Sequence, residues 1–60
     1  MNTEKMLRVI EKLGEAVYSE INIIDEFSGK SVEDILEILN ALYPFDDNDK
    51  LATEIYDLLN

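Results

Sequence analysis

Residues 3–27 read TEKMLRVIEKLGEAVYSEINIIDEF, and apolar side chains recur within them at Met6, Val9, Ile10, Leu13, Ala16, Val17, Ile21, Ile24 and Phe27. This is the i, i+3, i+4, i+7 recurrence of a helix face seeking a partner. Glu4, Arg8, Glu11, Lys12, Glu15, Ser19, Asn22 and Glu26 fill the opposite side. The spacing predicts one long helix over about 3–27. Asn2 or Thr3 serves as its N-cap, Glu4 sits beside the positive end of its dipole, and a left-handed Gly29 closes it. At 1.5 Å per residue such a helix spans roughly 37 Å. Its apolar arc is wider than one partner helix requires, with Leu7 and Tyr18 on one margin and Ile23 on the other, so more than one neighbour is expected.

Two residues interrupt the arc. Glu20 falls inside it, where an unpaired carboxylate is costly to bury. It is expected to reach solvent at a bundle edge or to pair with a lysine; the sharper alternative is a polar device that sets helix register or dimer geometry. Gly14 costs about 1 kcal/mol against alanine in a helix interior. It reads as a tolerated weak point or a kink, with close approach of another helix as the alternative.

Beyond Ser28-Gly29-Lys30 the punctuation is stronger. Ser31 followed by Asp34 reads as a capping box, and the helix it opens, about 32–43, carries Val32, Ile35, Leu36, Ile38, Leu39 and Leu42 on one face. Glu33, Asp34, Glu37 and Asn40 lie on the other face. Pro44 ends this helix after Tyr43, because proline disfavours helical geometry in the residue before it. Phe45 is expected to tuck against the helices it joins. Asp46, Asp47, Asn48 and Asp49 offer caps for a third helix, about 48–59, with Leu51, Ile55, Leu58 and Leu59 inward and Lys50, Thr53, Glu54 and Asp57 outward. No strand-like alternation or solenoid-length repeat appears, so the expected fold is all-α: a single domain over 1–60 built as a small three-helix bundle.

Composition narrows the rest. A chain of 60 residues buries only about 60% of the surface that its unfolded form exposes, so a lone core is marginal. With neither cysteine nor histidine in the chain, disulfides and the commonest zinc sites are excluded. Self-association is the remaining stabiliser, and a homodimer is expected. The sequence is 47% hydrophobic, which is enough to fold despite the charge. No signal-peptide core or membrane span is seen, and a cytoplasmic setting is the expectation. The formal net charge of −9 argues against direct contact with nucleic acid or anionic membranes, both of which call for clustered lysine and arginine.

Catalysis fares badly on the same grounds. Ser19, Ser28 and Ser31 have no histidine to activate them, and so short a chain has little volume for a concave pocket. The acidic corner fails as a calcium loop: counted from Asp46 it meets the pattern at Asn48 but puts Lys50, Leu51 and Asp57 where an acid or amide, glycine and glutamate belong. No enzyme activity, cofactor or metal is expected.

Charge is distributed unevenly. Up to Lys12 there are three bases against two acids; from Leu13 onward two bases, Lys30 and Lys50, face twelve acids. The plain reading is that the acids are solvated helix faces. The sharper one is a surface read by a basic partner, formed by Glu33, Asp34, Glu37, Asp46, Asp47, Asp49, Glu54 and Asp57. Carboxylates three or four residues apart on a helix stand about 5 to 6 Å apart, close to the spacing of backbone phosphates along one strand. In composition and size the chain is similar to the small acidic DNA mimics made by phages and mobile elements. The expected function is therefore a non-enzymatic protein-binding module of inhibitor or adaptor type. Its expected partner is an intracellular, nucleic-acid-binding protein met through favourable steering. DNA mimicry is one alternative. The other is a homodimeric helical protein making contact through surplus apolar residues at Leu7, Tyr18, Ile23 and Tyr56.

Overall fold

The computed structural model of the chain describes residues 3–14, 19–42 and 46–60. Among them it is all-helical, with α1 at Thr3–Leu13, α2 at Glu20–Phe27, α3 at Val32–Leu42 and α4 at Asn48–Leu59. Four helices thus stand where three were expected, because the stretch 3–27 is broken. The molecule extends only 24 × 23 × 18 Å, too short in every direction for a 25-residue helix of roughly 37 Å.

Gly14 makes the break. Its N–H still donates to the Ile10 carbonyl at 2.9 Å, which completes the last turn of α1, but its φ is +100°. L-residues rarely adopt that conformation. Among the described residues a Cβ built on Gly14 would meet nothing within 4 Å, so glycine serves the backbone here and none of the four helices approaches it closely. Ser19 restarts the chain as the N-cap of α2. Asn22 reaches back to it, its Oδ1 accepting from the Ser19 N–H at 3.1 Å and from the hydroxyl at 2.9 Å, a capping-box arrangement with asparagine in the glutamate position.

Breaking the helix resets its phase. Ile23, expected on the margin, is fully buried, whereas Ile21, expected inward, is 69% exposed. The acid that interrupted the apolar arc, Glu20, stands exposed in the first turn of α2, where the helix dipole favours it. The expected placements of Ala16, Val17, Tyr18, Tyr43 and Phe45 lie outside the described residues.

The second half follows its punctuation. α2 ends at Phe27, and a turn carries the chain on: Ser28 has φ −64° and ψ 137°, Gly29 has φ +76°, and the Lys30 N–H points to the Phe27 carbonyl at 3.4 Å. This is a type II turn, which calls for glycine at its third position. Ser31 then caps α3, its hydroxyl accepting from the Asp34 N–H at 3.2 Å.

One apolar core joins all four helices: Met6, Val9 and Leu13 from α1, Ile23 and Phe27 from α2, Ile35 and Leu39 from α3, and Leu51, Ala52, Ile55 and Leu58 from α4. α4 touches each of the other three, and its contact with α3 is the most extensive in the molecule. Among the described residues one polar side chain enters this interior. Asn48, at the start of α4, is 2% exposed, and its Nδ2 donates to Asn40 Oδ1 of α3 at 2.9 Å. Pairing of this kind offsets the cost of burying an amide and favours one register of α3 on α4.

Candidate protein-interaction surface

The eight acids expected to form one surface fall into separate groups. On α3, Glu33, Asp34 and Glu37 are all exposed. Their spacings of three and four residues put them about 5 to 6 Å apart on one side of the helix. Glu33 and Asp34 also occupy the first turn of α3, where the dipole stabilises negative charge; Glu37 lies a turn further on, beyond that influence. Asp34 and Glu37 border a shallow groove of about 380 Å³ together with Lys30, Ile38 and Ala41. Ile38 is half-buried and packs against the core, so the groove has an apolar floor and a charged rim.

On α4 the acids turn towards α1. Asp47, the N-cap residue, makes no side-chain capping bond; its carboxylate instead accepts from the Lys12 ammonium at 3.4 Å. Glu54, expected outward, is half-buried, with Oε2 at 4.0 Å from the same ammonium. One turn on, Glu54 and Asp57 share a recess of about 250 Å³ with Lys5 and Arg8. The bases at 5, 8 and 12 recur at helical spacing and so lie on one side of α1, opposed to acids of α4. The Lys12–Asp47 pair is partly solvated and contributes at most about 1 kcal/mol, whereas Glu54 Oε2 is buried without a hydrogen bond; the effect of these charges on the surface is larger. The basic start of the chain neutralises one acidic face of α4, so the eight acids do not form a continuous track. Asp46 and Asp49 are exposed where α4 begins and belong to neither group.

The apolar candidates separate as well. Leu7 is 53% exposed and Tyr56 36%, while Ile23 is interior and Tyr18 lies outside the described residues. Sequence reasoning missed Lys30, Ile38 and Ala41 as neighbours of Asp34 and Glu37. The signal was present, since 34, 37, 38 and 41 make an i, i+3, i+4, i+7 stripe along the flank of the core-facing side. It mixes acidic and apolar residues, and a search for purely apolar or purely acidic runs passes over it. The meeting of Lys12 with Asp47, 35 residues apart, has no local signal.

Among the described residues no helix is long and apolar enough to cross a membrane, and no three His, Cys, Asp or Glu side chains are grouped so as to hold a metal ion. Comparison with protein-family models, with the curated proteins and with the solved structures gives no match.

Proposed function

We propose that this chain is a non-catalytic protein-binding module of inhibitor or adaptor type that meets a basic partner surface through the acidic side of α3. The observation that carries the reading is the contrast between the two acidic helices. The α4 acids Asp47 and Glu54 are turned to Lys12, whereas among the described residues no ion pair engages Glu33, Asp34 or Glu37, and Asp34 and Glu37 border an apolar-floored groove. A charged rim around apolar area suits a binding surface, with steering supplied by the rim and by the net charge of −9. A nucleic-acid-binding protein fits this chemistry best, because its basic groove is complementary. The helical spacing of the three carboxylates favours a narrower form of DNA mimicry as the second reading, confined to α3.

Capture of partners from the source cell, identified by mass spectrometry, supplies the molecule for the test. The variant Glu33→Gln/Asp34→Asn/Glu37→Gln is expected to keep its helicity. Three exposed charge contacts at about 0.5 to 1 kcal/mol each correspond to binding weakened roughly ten- to hundredfold at low salt. Salt dependence of binding should flatten in the variant. Competition by duplex DNA for the same partner site selects DNA mimicry, and its absence selects the plain module. Normal binding of the variant at low salt, where electrostatic contacts are strongest, would overturn both.

A further inference from the structure

Gly14 interrupts a stretch that otherwise reads as one helix. The apolar period runs on through Ala16, Val17, Ile21 and Ile24, and no proline lies between Thr3 and Phe27. The Gly14 N–H still completes the last turn of α1 on the Ile10 carbonyl, so the departure from the helix begins with the φ of +100° at this residue. We propose that the chain also straightens through Gly14 and exchanges α1 with a second copy, forming a domain-swapped dimer.

Size and core contacts select the occupant. A continuous helix over 3–27 spans roughly 37 Å, whereas the folded chain extends at most 24 Å. With α2 held in place by Ile23 and Phe27 in the core, roughly 13 Å of the straight helix, most of the length of α1, must lie outside its own body. Met6, Val9 and Leu13 then lose the cover that buries them, and the site they occupied against α4 falls vacant. A second copy in the same state offers that vacant site and needs the same helix, which is the low-cost route to a symmetric dimer. Straightening gives up the α1–α2 contact, which is less extensive than that of α1 with α4. Charge agrees with the exchange. Two copies at a net charge of −9 repel one another elsewhere, but the exchanged helix brings its bases to the acids of α4. Lys12 meets Asp47 and Glu54, and Lys5 and Arg8 face the recess they share with Glu54 and Asp57. The contacts that α1 makes with α4 in the closed chain are thus the contacts that join the two copies.

Gly14→Ala shifts the balance twice in each dimer, because alanine disfavours φ +100° and favours the continuous helix. Sedimentation equilibrium of the full chain, refolded at concentrations from micromolar to millimolar, should give this variant a dimer dissociation constant at least tenfold below that of the unaltered protein. Insertion of Gly-Gly after Gly14 lengthens the connection and should leave a folded monomer. A mixture distinguishes exchange from side-by-side association. In the Gly14→Ala background, Lys12→Glu in one chain and Asp47→Lys in another each mismatch the pair within a closed chain, whereas a swapped heterodimer restores an opposite-sign pair at both sites. Refolded together at physiological salt, where longer-range repulsion is screened, the two should form heterodimer well above the half share of random pairing, as read by native mass spectrometry. Gly14→Ala remaining monomeric at millimolar concentration would overturn the proposal. So would random pairing in the mixture, which would mean that α1 stays on its own chain.

Discussion

The two helix pairs of this fold are joined to the molecule in different ways. α3 and α4 share the most extensive contact, and the Asn40–Asn48 hydrogen bond adds a directional link between them. α1 and α2 touch each other less, and each leans separately on α4; α1 adds the pairing of Lys12 with Asp47 and Glu54. The C-terminal pair is thus a hairpin with its own interface, and the N-terminal pair is completed by that hairpin. The difference teaches that an apolar period is a necessary sign of a helix face but does not say how far one helix runs.

The largest effect that can break this comparison comes from two isoleucines two residues apart. Ile23 is fully buried against the core and Ile21 is 69% exposed, so Ile23→Ala should cost about 2 to 5 kcal/mol and Ile21→Ala about 0.5 kcal/mol or less. Thermal unfolding of both variants at one low protein concentration, where association is minor, provides the measurement. A single unbroken helix over 3–27 predicts the reverse order, since it turns Ile21 inward and leaves Ile23 on the margin. Equal losses at the two sites would mean that α2 has no fixed rotation.

The same contrast explains what could be read in the sequence. The all-helical class, the presence of α3 and α4, and the buried positions Ile35, Leu39, Leu51, Ile55 and Leu58 were legible. The start of α3 is marked by residues with a local mechanism, Ser31 as its cap and Gly29 in the turn before it. The break after Leu13 was not legible in the same way. Gly14 stood alone, without a proline or a cluster of turn residues, and the apolar period continued through it at Ala16, Val17, Ile21 and Ile24. Glu20 was the clue, because a carboxylate inside an apolar arc costs too much to bury and signals a change of phase. Of the candidate surface, the acids of α3 were legible from their spacing. The engagement of Asp47 and Glu54 by Lys12 was not, because it is created by packing α1 on α4.

A smaller effect, with a diagnostic sign, comes from Gly14. At φ +100° an alanine is strained although space is open around it, so Gly14→Ala should destabilise by about 1 to 2 kcal/mol. In a continuous helix the same change should stabilise by about 1 kcal/mol, the difference in helix propensity. Chemical unfolding gives the sign. Far-ultraviolet circular dichroism gives a check, since a stabilised variant with added helical signal would mean that the chain can straighten through this point.

The smallest effect concerns what holds α1 in place. Lys12 lies 3.4 Å from Asp47 Oδ2 and 4.0 Å from Glu54 Oε2, with the lysine and aspartate side chains 36% and 51% exposed. At that exposure water screens the attraction, and ordering three flexible side chains opposes it, so Lys12→Met should cost no more than about 1 kcal/mol. Part of that loss has a second source. Removing a base from a chain with a net charge of −9 adds to general repulsion, which a neutral change on the solvent side at Thr53 would not do. Salt separates the two helix pairs. At about 1 M salt the screening length falls to roughly 3 Å, and the difference between Lys12→Met and the unaltered protein should vanish if Met6, Val9 and Leu13 hold α1 by apolar burial. A loss above about 2 kcal/mol at low salt, recovered as salt is added, would mean instead that charge holds α1 and apolar contact holds α3. The two halves would then differ in the kind of force that binds them to α4, beyond the extent of contact.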